Sequence, residues 1–195
     1  MLEVYVQNVD NTWFAIACTQ QKIVATSFSR TQESTLSNTL SNIPFNMPVQ
    51  VLHEPSNFAK SAFAILKTIY DGKEAKNKLS LITHTLPAYT RKVLKVTSAI
   101  PVGYVSSYGA IAKAVGGSPR AVGNVMAANP FVPIVPCHRV VKSDFTLGGY
   151  GGGLETKLEF LKREKRGYPY PKKITINSGY LELFPVEFVL KNLTL

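Results

Sequence analysis

The chain has 195 residues, 45% of them hydrophobic and 17% charged, with a formal net charge of +10, which suits one or two compact domains with a real core. There is no run of 18 apolar residues, no basic segment ahead of an apolar one at Met1-Leu2-Glu3, and only Cys18 and Cys137 as thiols. These features argue against a membrane span, a secretory signal and a disulfide framework, and for a reduced, cytoplasmic compartment.

Residues 2–7, 12–18 and 22–28 read as short strands joined at Asp10-Asn11 and Gln20-Gln21, a meander, with residues 48–53 as a fourth strand. Phe58, Ala62, Ile65, Leu66 and Ile69 form a helical stripe that ends at Asp71-Gly72. Cys18 lies in a strand between Ala17 and Thr19 and reads as a packed small hydrophobe. Residues 73–86, polar at first, read as a linker. They separate an N-terminal α/β domain over residues 1–85, mostly structural, from a second domain over 86–166.

The second half is mostly helical and carries most of the charge. Residues 86–195 hold 15 Lys and Arg against 6 Asp and Glu, while residues 1–85 hold 7 against 6. Charge alone leaves open a polyanion binder and a basic surface without a partner. Tyr89, Val93, Val96 and Ile100 share a helix face. Ser107 caps a helix bearing Ile111, Ala112 and Val115; Gly116-Gly117 make a tight turn; Ser118 and Pro119 fit the cap and first position of the next helix. Two short helices around a glycine turn are a helix-turn-helix signature, and with it nucleic acid becomes the favoured partner. On the second helix Val122, Val125, Met126 and Asn129 share one face, and Arg120, Gly123, Asn124 and Ala127 point the other way. That small, lightly polar face suits close approach to a nucleic acid backbone; it suits tight helix packing equally well.

Further on, residues 145–150 read as a turn or wing and residues 148–153 as a glycine loop whose spacing fits no phosphate-binding motif. Leu154, Leu158 and Leu161 form a stripe on which Glu164 comes next, so that carboxylate needs a partner or a wet site. Glu155 and Glu159 point elsewhere. The tail, 167–195, has a β-like stretch at Ile174-Thr175-Ile176 and an apolar stripe of Phe184, Phe188, Val189 and Leu193; it reads as an extension packed on the body, with a dimer contact as the second reading.

The chemistry concentrates at Pro136-Cys137-His138-Arg139-Val140. A thiol is a weak nucleophile at neutral pH unless a base is held close. Taken alone the pair Cys-His favours a buried structural cysteine, but its neighbours change the balance. Ser107-Tyr108-Gly109, Ser118-Pro119-Arg120-Ala121-Val122-Gly123, Asn129-Pro130, Ile134 to Val141, and Gly148-Gly149-Tyr150 with Gly152 and Gly153 occur in one order and spacing through Glu164. Over residues 86–164 the chain resembles the C-terminal domain of the O6-alkylguanine-DNA alkyltransferases. Residues 1–85 resemble that family's variable N-terminal domain in pattern only.

The resemblance implies an α/β (α+β) fold: an antiparallel meander with a helix, then a helical domain with a winged helix-turn-helix and a buried active-site cysteine. It implies a suicide transfer, in which a flipped O6-alkylguanine in duplex DNA gives its alkyl group to Cys137. His138 would be the base, acting through a water, with Glu164 orienting it. Asn129 would tie the recognition helix to the active-site turn, and Tyr108 would help rotate the nucleotide and donate to the guanine. Arg120 would fill the vacated stack, with Ala121, Gly123, Asn124 and Ala127 against DNA. Tyr150, Gly151, Gly152, Val140, Met126 and Pro133 would line the substrate pocket. No cofactor is implied, and the expected protein is a monomer, DNA-associated and away from membranes. Some relatives carry a structural zinc, but Cys18, His53 and His84 lack the close pairing a zinc site uses, so no metal is expected.

Each role has an alternative from the residues alone. Tyr108 suits a core tyrosine beside a cap, Arg120 a phosphate contact, Arg139 a salt-bridge partner without a catalytic role, and Asn129 before Pro130 a helix end. A lesion binder that flips without reacting and a cysteine hydrolase are the competing functions. The cysteine speaks against the first; the adjacent histidine and the helix-turn-helix speak against the second.

Overall fold

The structure is a computed structural model describing residues 1–44, 47–176 and 179–193. Its contacts divide the chain into two units: Met1–Tyr70, Ala75–Leu86 and Pro130–Ile134 in the first, and Asp71–Glu74, Pro87–Asn129 and Val135–Leu195 in the second.

In the first unit β1 (Leu2–Val9), β2 (Thr12–Thr19) and β3 (Lys22–Ser29) form the antiparallel meander. Both tight turns place their central residues in the left-handed region, Asp10 and Asn11 at φ 49° and 61°, Gln20 and Gln21 at 48° and 58°. Two consecutive left-handed residues give the turn twist that matches paired strands. A helix follows that the sequence stripe does not announce, α1 (Gln32–Ser41), capped by Thr31 on Ser34 N–H. Its buried face is Thr35 and Thr39, whose hydroxyls meet Ser29 and Ser27 at 2.6 Å each. This helix carries the chain across, so β4 (Val49–Leu52) lies parallel to β1 and completes the order β3-β2-β1-β4. α2 (Asn57–Tyr70) buries Ala59, Ala62, Phe63 and Leu66. The far edge of β3 holds two later segments: Ile23 N–H donates to Ser80 O and Thr26 N–H to Pro130 O, both at 2.8 Å. Cys18 is buried in β2, its thiol pushed up to about 11 by burial and by Glu3.

In the second unit α3 (Ala88–Thr97) leads through β5 (Tyr104–Ser107) into α4 (Tyr108–Val115) and α5 (Pro119–Ala127). The caps are those the sequence predicts: Ser107 accepts from Ala110 N–H and Ser118 from Ala121 N–H. Gly117, at φ 98°, sits where a Cβ would meet the Tyr89 hydroxyl at 2.6 Å, so no side chain fits the turn between the helices. Val122, Val125 and Met126 are buried, while Arg120, Asn124 and Ala127 are exposed. A short 3-10 turn, Cys137–Arg139, then precedes β6 (Val140–Val141) and α6 (Leu154–Arg163). On α6 the buried positions are Lys157, Phe160 and Leu161, while Leu154, expected in the core stripe, is 53% exposed.

The tail folds into β7 (Lys172–Ile176), β8 (Gly179–Pro185) and α7 (Val186–Asn192). β8 pairs antiparallel with both β5 and β7, giving the order β6-β5-β8-β7. The hairpin beside the helix-turn-helix is therefore β7–β8. Residues 145–150, where the sequence suggested a wing, form a turn and an irregular stretch without strands.

Candidate active site

The backbone around the cysteine is fixed by an amide. Asn129, buried just past the C-cap of α5, donates from Nδ2 to Val135 O at 3.0 Å, and Cys137 N–H donates to the same carbonyl at 2.8 Å. Asn129 thus ties the end of the second helix of the helix-turn-helix to the turn that presents the thiol. Cys137 itself is 4% exposed. Burial pushes its thiol up; a hydrogen bond from Asn129, the charge of Lys157 and the N–H groups of Cys137 and His138 oppose that. The balance remains on the raised side, so the resting sulfur is a protonated thiol and its reactivity depends on a base.

The imidazole next in the chain is that of His138. Its ring is fully buried, stacked on Phe160 with centroids 4.4 Å apart at 18°. Nε2 lies 2.9 Å from Glu164 Oε1. Glu164, at the C-cap of α6, is fully buried and also receives Arg139 Nε at 3.1 and 2.9 Å and Nη2 at 2.8 Å. Burial raises the Glu164 carboxyl, but His138 and Arg139 together outweigh it and hold it at about 2. Burial in turn lowers His138, more than Glu164 raises it. Near neutral pH the imidazole is therefore uncharged, and the standing partner of the Glu164 charge is the guanidinium. An ionised carboxylate only accepts, so Nε2 carries the proton and Nδ1 carries the lone pair. Nδ1 is buried with no hydrogen-bond partner among the described residues. The arrangement is a neutral imidazole with its basic nitrogen free, oriented by a carboxylate that Arg139 keeps ionised. The remaining Arg139 nitrogen, Nη1, donates to Ile100 O at 2.5 Å.

The thiol faces a cavity of about 530 Å³. Met126, Tyr150 and Gly151, named above for the substrate pocket, line it together with Tyr108 and with Gly123 and Ala127 from α5. Pro119, Lys142, Gly148 and Gly149 line it as well. The Tyr108 hydroxyl donates to Gly149 O at 3.3 Å. Gly148, at φ 66°, lies where a Cβ would come 2.9 Å from the Tyr108 ring, so the wall is closed only with glycine there. Three residues expected in the lining are not in it. Gly152 is exposed and packs near the Tyr150 ring, and Pro133 belongs to the Pro130–Ile134 segment of the first unit. Val140 is buried behind the wall, its N–H donating to Cys137 O and its carbonyl accepting from Lys157. Arg120 and Asn124 are exposed at the start and middle of α5, and Ala121 is half-buried.

Lys157 is the residue that sequence reading passed over. It is fully buried, and Nζ donates to Val140 O, Leu147 O and Gly149 O at 2.6, 2.5 and 3.2 Å. One ammonium thus pins β6 to the glycine segment of the cavity wall. Burial brings it down to about 8, against a pull upward from Cys137.

Residues 88–166 match the family described as the 6-O-methylguanine DNA methyltransferase DNA-binding domain. The methylated-DNA–protein-cysteine methyltransferase of Methanocaldococcus jannaschii is 40% identical over 122 residues, 61% of this chain and 72% of that protein. The chain belongs to this family. The methyltransferase of Methanothermobacter thermautotrophicus is 37% identical over 111 residues, and that of Pyrobaculum aerophilum 58% over 65. In those two comparisons the match takes in 56% and 33% of this chain and spans 63% and 44% of the relative. The crystal structure of O6-methylguanine-DNA methyltransferase from Pyrococcus kodakaraensis aligns with a TM-score of 0.63 at 28% identity, covering 84% of this chain and 99% of that one. An O6-methylguanine DNA methyltransferase structure from Methanococcus jannaschii gives 0.63 at 26%, covering 88% and 99%. Within the methyltransferase family, then, the buried Cys-His-Glu cluster and the helix-turn-helix lie in one unit of this chain.

Proposed function

We propose that the protein repairs O6-alkylguanine in duplex DNA by moving the alkyl group onto Cys137 in a single turnover. The observation that carries this is the placement of Cys137 on a cavity bordered by α5, with the His138–Glu164–Arg139 cluster buried beside it. The target oxygen is enclosed in a duplex, so the nucleotide must leave the stack to reach a buried sulfur. The Sγ proton passes to His138 Nδ1 through an intervening water, and the imidazolium is stabilised by Glu164. The thiolate attacks the alkyl carbon, an S–C bond forms, and the O6–C bond breaks. Guanine leaves with the electron pair and takes a proton from Tyr108, and the proton held on His138 returns to the phenolate through solvent, so no net charge is left behind. The product is a neutral thioether, from which a thiolate is a poor leaving group toward water, so each chain acts once. The test is to incubate the protein with duplex DNA carrying O6-methylguanine and weigh it intact. One methyl group per chain, mapped to Cys137, is expected; binding without mass gain indicates a lesion binder, and turnover without mass gain a hydrolase.

Arg120 is exposed at the second position of α5. Its proposed work is to occupy the space the flipped base leaves, a need that exists only in a duplex. Arg120→Ala should therefore slow repair of duplex O6-methylguanine about ten-fold or more while barely changing reaction with free O6-benzylguanine. Equal losses on the two substrates would place Arg120 in the pocket or in folding.

Lys157 contributes charge beside the thiol and holds the wall. Lys157→Met keeps the volume but removes the charge, so the thiolate should form at higher pH. Single-turnover rates between pH 6 and 9 should shift toward alkaline pH; a profile superimposable on that of the parent chain would limit Lys157 to a structural role.

A further inference from the structure

The segment between β6 and the glycine stretch, residues 142–147, holds a backbone that does not favour itself. Phe145 has φ 62°, the left-handed region, where a bulky side chain is rarely found unless its surroundings hold it there. Local bonds close the turn: Lys142 N–H donates to Thr146 O, Phe145 N–H to Lys142 O, and Asp144 Oδ1 accepts from Thr146 N–H and Oγ1. What grips the turn from outside is the C-terminal extension. The Phe145 ring meets Phe184 edge-on at 5.0 Å and Phe188 at 5.5 Å. Asn192 Nδ2 donates to Asp144 O at 2.6 Å. Leu147 is buried in one cluster with Val186 and Val189 of α7.

This turn delivers the cavity wall. Lys142 stands at its start, and Gly148 and Gly149 follow its end; all three line the cavity beside Cys137. From the other side Lys157 holds Leu147 O and Gly149 O. Among the described residues none of β7, β8 or α7 lines the cavity, and all three elements lie beyond the matched family segment, which ends at 166. We infer that the C-terminal extension is a positioning element for alkyl transfer: through Phe184, Phe188 and Asn192 it keeps the Phe145 turn in its left-handed form and so presets the wall against which the alkyl group is placed. Without that grip the turn relaxes toward ordinary backbone angles. The wall then has to be ordered in each encounter, at a cost in rate, while Arg120 and Asn124 stay on the exposed face of α5 and keep their access to DNA.

The inference rests on the proposed function for its kinetic part and on the fold alone for its structural part, so the experiment reads both. Phe188→Ala and Asn192→Ala are made in the full chain, with Phe188→Leu as the conservative variant. Amide hydrogen exchange of residues 145–150 is followed in each. So are the amplitude and rate constant of alkyl uptake from free O6-benzylguanine, and affinity for undamaged duplex. Phe188→Ala should raise exchange in 145–150 about ten-fold or more and lower the rate constant about ten-fold. Uptake should still reach one alkyl per chain, duplex affinity should stay within about two-fold, and Phe188→Leu should recover most of the rate. A reduced amplitude with an unchanged rate constant would mean that the extension only keeps the chain folded, and overturns the inference, as does unchanged exchange in 145–150. If the parent chain itself takes up no alkyl group, the functional proposal is what has failed, and the exchange result alone decides whether the extension holds the turn.

Discussion

A Cys137→Ser chain should take up no alkyl group from DNA while binding duplex almost as well as the parent. The serine hydroxyl is nearly isosteric with the thiol, so the 3-10 turn and the Asn129 tie to Val135 have no reason to move. Its chemistry is another matter. Even the thiol is held protonated by burial in this site and needs help from Asn129, Lys157 and two backbone N–H groups. A hydroxyl starts far higher and is a poorer nucleophile toward saturated carbon, and a neutral imidazole cannot ionise it here. The uptake rate should fall by about three orders of magnitude or more, with no residual label at Cys18, whose thiol is buried in β2 and pushed up to about 11. Gel-shift affinity for undamaged duplex is the control. Label on the serine chain, or label mapping to Cys18, would remove Cys137 from the nucleophile's place.

The chemical part of this site was legible through the family resemblance carried by its motifs. Taken alone, the cysteine beside a histidine read as a packed thiol and the asparagine as a helix end; only the glutamate continuing an apolar stripe demanded a partner. The structure supplies the partners: Nδ2 to a carbonyl, imidazole to carboxylate, carboxylate to guanidinium. Arg139 was readable as a salt-bridge partner, but not as the charge that keeps Glu164 ionised, because the two are far apart in sequence.

Lys157 escaped for a subtler reason. Lysine on a surface helix is ordinarily a solvated residue, and reading the stripe from the leucines put Leu154 at its start. The buried face is Lys157, Phe160, Leu161 and Glu164, an i, i+3, i+4, i+7 pattern that carries a charge at each end. A lysine in phase with an apolar stripe is the signal that would have found it. The helix α1 was missed on opposite grounds: its inward face is threonine, satisfied by hydroxyl pairs and not by apolar burial, so no hydrophobic period exists to be seen. Of the hairpin only β7 was legible, as the β-like Ile174-Thr175-Ile176; Phe184 of β8 was read into an apolar stripe, the partner strand β5 is far upstream, and pairing of that kind leaves no local mark. That is why the wing was sought among residues 145–150.

Glu164→Gln should be costly in two separate ways, and pH tells them apart. The first is stability. The substitution leaves the buried Arg139 guanidinium facing a neutral amide, and removing one partner of a buried ion pair typically costs about 3–5 kcal/mol. The sign of the pH effect follows from the carboxyl being held at about 2, below its usual value near 4.5. A depressed acid contributes stability that is complete above its unfolded value and is lost as pH falls through the folded one. The parent chain should therefore lose this contribution between about pH 4.5 and 2, while the Gln variant, lacking the titration, should not. Urea unfolding at pH 7 should show the large difference, and unfolding near pH 2.5 a much smaller one. The second cost is chemical. The amide oxygen can still accept from Nε2–H, but it carries no charge, so the imidazolium formed during transfer loses its counter-charge. Alkyl uptake at pH 7 should slow by about two orders of magnitude, measured per folded chain by the amplitude of the single turnover. A rate constant equal to the parent's, alongside the stability loss, would assign Glu164 to holding Arg139 and the fold, and would leave His138 to act without it.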